Sequence, residues 1–132
     1  MIYESIYKKL IKLGVIELVG NKQNYSKSEL PNYMPLSFDK VFENDSVTVI
    51  ALAHRYPQNG DLMADPDCEI AIHQNGMAEC LTYQQDNLGI YQQVYDTFPN
   101  PKQMKTRLKK ELNCFLNQWL TNCLNQGHKF DV

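Results

Sequence analysis

The stretch Ser46–Tyr56, SVTVIALAHRY, constrains the fold more than any other. It is rich in β-branched residues, which favour the extended backbone. Its apolar groups fall on both alternating faces: Val47, Val49 and Ala51 on one, Ile50 and Leu52 on the other. Successive strand side chains point to opposite sides, so this strand must be covered on both faces or lie centrally in a sheet. A chain carrying it needs at least two layers.

The sequence downstream supplies partners. PQNGDLMADPD reads as a turn-rich connection, CEIAIHQ as a strand, and MAECLTYQ as its return. Between the last two lies Asn75-Gly76, whose residues tolerate the positive φ of a two-residue hairpin turn. QDNLG makes a further turn and IYQQVY a fourth strand. Residues 2–13 repeat apolar groups at Ile2, Ile6, Leu10 and Leu13, and Gly14 stops the helix this spacing predicts. Residues 15–44 hold two prolines and many turn formers, and read as a long loop packed by Tyr25, Tyr33, Met34 and Phe38, with VIELVG at its start either a short strand or a continuation of the first helix.

The final element is predicted to be a helix capped by Asn100, with Pro101 first and Gly127 last. Met104, Leu108, Leu112, Phe115, Leu116, Trp119, Leu120, Cys123 and Leu124 form its apolar stripe. The expected fold is therefore one α+β domain over residues 1–132. It comprises an N-terminal helix, a four-stranded antiparallel meander, and a long C-terminal helix packed on one sheet face.

Composition narrows the function classes. The chain has 132 residues, 43% hydrophobic and 21% charged, with a net charge of −2. That balance does not suit a dedicated nucleic-acid binder, which carries a basic surplus. No apolar run approaches the roughly 18 residues of a membrane span. The N-terminus lacks the features of a secretion signal. Cys68, Cys80, Cys114 and Cys123 lack CxxC spacing and read as reduced, buried thiols of a cytoplasmic protein.

One stretch is dense in chemistry. Asp61, Asp65, Asp67, Glu69 and His73 fall within thirteen residues, with Asp86 further on. Hard divalent ions take several carboxylate oxygens, so these residues could serve a metal-dependent hydrolase or nuclease. The two-residue turn argues against it. It pairs His73 with Ala78 and Ile72 with Glu79, so that His73 and Glu79 fall on opposite faces. Cys80 then lies on the polar face, within reach of His73. The spacing of the aspartates lacks a calcium-loop pattern, so neither a metal nor a cofactor is expected. The phosphate-loop, dinucleotide, GxSxG and HExxH patterns are absent. Lys102, Lys105, Arg107, Lys109 and Lys110 form a candidate anion or nucleic-acid patch on the first half of the last helix. Tyr83, Tyr91 and Tyr95, with neighbouring glutamines, form a second surface able to stack bases.

GDLMADPDCEIAI, LTYQQDNLGIYQQVY and ELNCFLNQWLTNCLNQGH resemble a family of bacterial domains of unknown function often found on plasmids and integrative elements. The matching residues are Gly60, Asp61, Leu62, Met63, Asp65 and Pro66, then Asp86, Asn87, Gly89, Tyr91 and Gln92. The third group is Phe115, Leu116, Trp119, Leu120, Asn122, Gln126 and Gly127. Asp86-Asn87 stands where that pattern has Asn-Asp. A more distant resemblance to another bacterial family of this kind rests on HQNGMAE, PNPKQM and CLNQGH. Together they cover about residues 46–128, and imply a compact α+β domain in a mobile-element setting without naming an activity. The leading expectation is a non-enzymatic module that binds another protein or a second copy of itself. The acidic hydrolase and a nucleic-acid-binding accessory protein are its rivals.

Overall fold

In the computed structural model, which describes residues 1–131, α1 spans Ile2–Leu13 and buries Ile6, Leu10 and Leu13. Gly14 ends it at φ 90°, a left-handed conformation that costs glycine nothing. A Cβ there would stand 2.5 Å from the Phe130 carbonyl oxygen, so the C-terminal segment also requires glycine at this point. The chain then re-enters helix as α2, Val15–Gly20.

Residues 15–44 are not the expected loop. After α2 they form an antiparallel hairpin of β1 (Tyr25–Leu30) and β2 (Tyr33–Glu43). Pro31-Asn32 makes its turn, and β2 pairs with β3 (Val47–Gln58) along its length. Pro35 misled the sequence reading. A strand tolerates proline where its missing N–H removes no ladder bond. Of the four aromatic and methionine residues expected to pack this region, only Phe38 is fully buried. Tyr25, Tyr33 and Met34 are exposed.

The remaining strands are β4 (Asp61–His73), β5 (Ala78–Cys80), β6 (Thr82–Gln85) and β7 (Ile90–Gln93). The sheet is an antiparallel meander in the order β1-β2-β3-β4-β6-β7, with β5 also on β4. It therefore has seven strands where four were expected. Two come from the misread loop, and the strand after the Asn75-Gly76 turn is broken by a bulge. Ile70 pairs with Cys80 and Asp67 with Gln84, setting four residues on one side against five on the other.

The last helix, α3, spans Thr106–Gln126. It starts five residues later than Asn100-Pro101 suggested, because Asp96 organises the preceding segment. Its Oδ1 accepts the backbone N–H groups of Thr97, Lys102 and Gln103. Both long helices cover one face of the sheet. Ile6, Leu10, Ile50, Leu52, Ile70, Leu116 and Leu120 are fully buried between them. The opposite face holds a smaller cluster, Val47, Val49, Ala71 and Leu81, beneath Tyr95 and Phe98. Both faces of β3 are thus covered, as its sequence required.

Candidate functional site

The acidic stretch does not gather into one cluster. Asp61 is exposed at the start of β4, beside the two-residue Asn59-Gly60 turn. Asp65 and Asp67 should share a face by simple alternation. The β3–β4 register shifts between Ala53 and Arg55, opposite Asp65-Pro66, and Pro66 sits in that irregularity as proline in a central strand must. As a result Asp65 borders a cleft on the helix side, while Asp67 pairs with Arg55 on the other face at 3.0 Å. Arg55 also reaches Asp39, at 3.5 Å. Burial raises the Asp67 carboxyl above its ordinary value despite that guanidinium, and burial likewise raises Glu69.

Asp86 is committed to structure. It accepts Gln84 Nε2 at 2.7 Å and the Ala64 backbone N–H at 2.8 Å, bonds that lower its pKa. Among the described residues no three histidine, cysteine, aspartate or glutamate side chains converge as a metal would need.

The hairpin register differs from the sequence expectation by one residue. His73 N–H donates to Met77 O at 2.9 Å, and Ala71, not Ile72, pairs with Glu79. The loop therefore has three residues, Gln74, Asn75 and Gly76, with Gly76 at φ 82°. This is a turn followed by a left-handed bulge residue, the usual three-residue hairpin. A one-residue slip moves every side chain to the other face. His73 and Glu79 consequently share a face and bond at 2.8 Å. Cys80 lies in the helix-side core with Cys68, away from His73.

Glu79 is the hub of a polar group at this end of the sheet. It accepts the Tyr95 hydroxyl, and Lys109 Nζ lies 3.7 Å away over the rings of Tyr3 and Tyr95. Each partner comes from a different element, so the group ties β4, β5, α3 and the segment after β7 together.

The basic residues do not form one helical patch. Lys102 and Lys105 precede α3 and are exposed, Arg107 pairs with Glu111, and Lys109 turns inward to Glu79. Lys110 remains exposed on the helix. The tyrosine surface is split as well. Tyr83 packs edge-on against Phe115 of α3, whereas Tyr91 is exposed beside Glu69 on the opposite face.

His54 carries no motif that marks it as a site residue. It is buried where β3 meets α3, its ring edge-on to Trp119 with centroids 5.3 Å apart. Its Nδ1 lies 3.0 Å from the Pro35 carbonyl, which can only accept, so Nδ1 carries the proton. Nε2 then accepts from the Cys123 thiol at 3.7 Å. Burial drives Cys123 up to about 12, keeping it protonated, and burial lowers His54, keeping it neutral. Cys68 is also raised, by the adjacent Cys80 thiol and by burial. Neither Cys68 nor Cys123 is thus suited to attack as a thiolate.

His54 floors a cleft of about 480 Å³ between the β1–β2 turn, β4, β6 and α3. Asp65 and Pro66 border it from the strand side, Phe115, Trp119, Asn122 and Gln126 from the helix side, and Tyr33 and Met34 from the turn. The Phe115 and Trp119 rings are stacked 16° from parallel. Gln126 Oε1 is buried without a hydrogen-bond partner. With neutral His54, none of the lining residues is cationic. Helical spacing alone shows that Phe115, Trp119, Asn122 and Gln126 neighbour one another on α3. That Asp65 faces them depends on the bulge at Pro66, for which a proline inside a strand is the only sequence signal.

The family model for a domain of unknown function, DUF6908, matches residues 5–129. No curated protein and no solved structure matches the chain.

Proposed function

The chain belongs to this DUF6908 family, and we propose that it is a non-enzymatic protein-binding module whose recognition surface is the cleft between α3 and the β4/β6 side of the sheet. The observation that carries this reading is the combination of aromatic surface and uncommitted polar atoms in one open cleft. Binding sites pair apolar walls with a few placed polar groups. Here Trp119 and Phe115 supply the first, and Asp65 and Gln126 the second; Asn122 also lines the cleft, its Oδ1 accepting from Gln118 Nε2 at 3.2 Å. Exposed Tyr33 and Met34 extend the apolar rim.

The divalent-metal hydrolase is the weaker reading, since Asp65 and Asp67 face opposite sides of the sheet and Arg55 neutralises Asp67. A nucleic-acid role is weaker still, because the lysines expected to act together point in different directions. The bacterial mobile-element setting implied by the resemblance belongs to the same proposal, as do the cytoplasmic location read from the cysteines and self-association through this surface. No helix among the described residues is long and apolar enough to cross a membrane.

Selection from a displayed random-peptide library tests the reading. Selected peptides are expected to lose binding to Asn122→Arg, which plugs the cleft from an exposed helix position. Peptides that bind Asn122→Arg as well as the parent protein would move the surface elsewhere. Magnesium-dependent nuclease or phosphatase activity abolished by Asp65→Ala with Asp67→Ala would replace the binding module by the hydrolase.

A further inference from the structure

We propose that the cleft takes an arginine side chain presented by a partner protein; the inference rests on the binding-module reading and names the chemistry of its ligand. Four observations converge on a guanidinium. Asp65 borders the cleft while Arg55, on the far side of the sheet, is engaged by Asp67 and Asp39, which leaves Asp65 without a cation. Gln126 Oε1 is a buried acceptor that finds no donor among the described residues, a state that buried polar atoms rarely keep. Tyr33, exposed at the rim, offers a flat surface on which a guanidinium stacks, with the Trp119 and Phe115 side chains lining the cleft beside it. His54, the one titratable nitrogen base in the lining, is held neutral and its Nδ1 proton is spent on Pro35.

Within the cleft lining the unmet groups are therefore acceptors, and an anionic ligand such as a phosphate would find no cation there. Arginine brings five donors, no acceptor, and a planar face. Lysine brings a compact charge with three donors and no plane, so it satisfies the carboxylate but not the aromatic walls.

Trp119 is the sole tryptophan, so its fluorescence reports this cleft directly. The probes are blocked tripeptides, acetyl-Gly-X-Gly-amide, where X is arginine, citrulline, lysine or phenylalanine. Citrulline keeps the shape of arginine and removes the charge. Saturable change with the arginine peptide is expected, weakened at least about tenfold by citrulline and by Asp65→Asn, as loss of a charge-assisted bond predicts. Asp61→Asn, at the exposed end of β4, should leave the titration unchanged, and circular dichroism should show all variants folded.

Equal binding of arginine and citrulline peptides, or an Asp65→Asn titration equal to the parent, overturns the inference. If the phenylalanine peptide titrates Trp119 and the arginine peptide does not, the cleft remains a binding surface and only the arginine assignment falls. If no peptide perturbs Trp119 and the selected library peptides ignore Asn122→Arg, both readings fall together. Arg107 has a side chain 95% exposed. Self-association abolished by both Arg107→Ala and Asp65→Asn would make the occupant a second copy and overturn the assignment to a foreign partner.

Discussion

The two faces of the central strands β3 and β4 are built on opposite terms. On the helix side Ile50, Leu52 and Ile70 meet α1 and α3, and burial lowers the pKa of both His54 and its neighbour His128. On the other side Val47, Val49 and Ala71 make a small cluster, and Arg55, Asp67 and Glu69 beside it remain partly in water. One pair of strands thus supports a dry, area-driven core and a thin layer whose charges are only partly compensated. The helix face should carry most of the stability, and the other face should tolerate change.

Truncation separates them most sharply. Trp119→Ala and Leu116→Ala should each cost about 3–5 kcal/mol, because large side chains leave cavities in a packed core. Val49→Ala on the opposite face should cost about 1–2 kcal/mol, from two methyl groups of area. Urea unfolding measures both. A loss at Val49 equal to that at Leu116 would erase the distinction.

Gly14→Ala should cost about 2 kcal/mol or more. It forces a left-handed residue to carry a Cβ against the Phe130 carbonyl. A thermal melt unchanged from the parent would mean that the C-terminal segment does not close the helix face as described.

Glu79→Ala should cost about 1–3 kcal/mol by stranding His73, Tyr95 and Lys109. Glu79→Gln should recover part of that by keeping hydrogen bonds without the charge. Equal losses for both variants would show that the Lys109 ion pair dominates the group.

Acid should act on the two faces with opposite signs. Burial lowers His54, so below the ordinary value of 6.5 the unfolded chain binds a proton that the folded chain resists. Its stability contribution is full above 6.5 and falls as pH drops through that value. His128 is lowered by burial too and adds to the same loss. Asp67 and Glu69 are raised, so their ionisation costs stability at neutral pH. That cost is relieved as pH falls through their folded-state values, which lie above the ordinary 3.8 and 4.5. Urea midpoints between pH 7.5 and 4 should show the decline near 6.5 diminished in His54→Gln. Asp67→Asn should leave that decline intact and remove part of the relief at lower pH. The smallest effect belongs to Lys102→Ala and Lys105→Ala, each within about 0.5 kcal/mol, because both are exposed.

Much of the fold was legible in the sequence. The apolar spacing of α1 and α3, the glycine stops at Gly14 and Gly127, and the double-faced strand at residues 47–52 all follow from local periodicity. The candidate cleft was half legible. Helical spacing sets Asn122 and Gln126 beside the Phe115 and Trp119 of the apolar stripe, but nothing local to His54 shows where it packs, and Asp65 reads as a member of an acidic group. Residues 25–43 were misread because polar side chains and prolines also suit an edge hairpin.

The two Asn-Gly pairs mark where local reading ends. Asn59-Gly60 closes a two-residue turn, with Gln58 paired to Asp61. Asn75-Gly76 belongs to a three-residue loop that sends Ala78 and Cys80 into the core. The dipeptide determined that each hairpin turns there. Only packing decided how many residues each loop holds, because local loop geometries serve nearly alike while burial differs for every side chain that follows. The same reason separates Asp65 from Asp67. The sequence by itself determined the elements and their order. The tertiary structure decided the faces, since strand side chains alternate with a period of two and a single bulge inverts them.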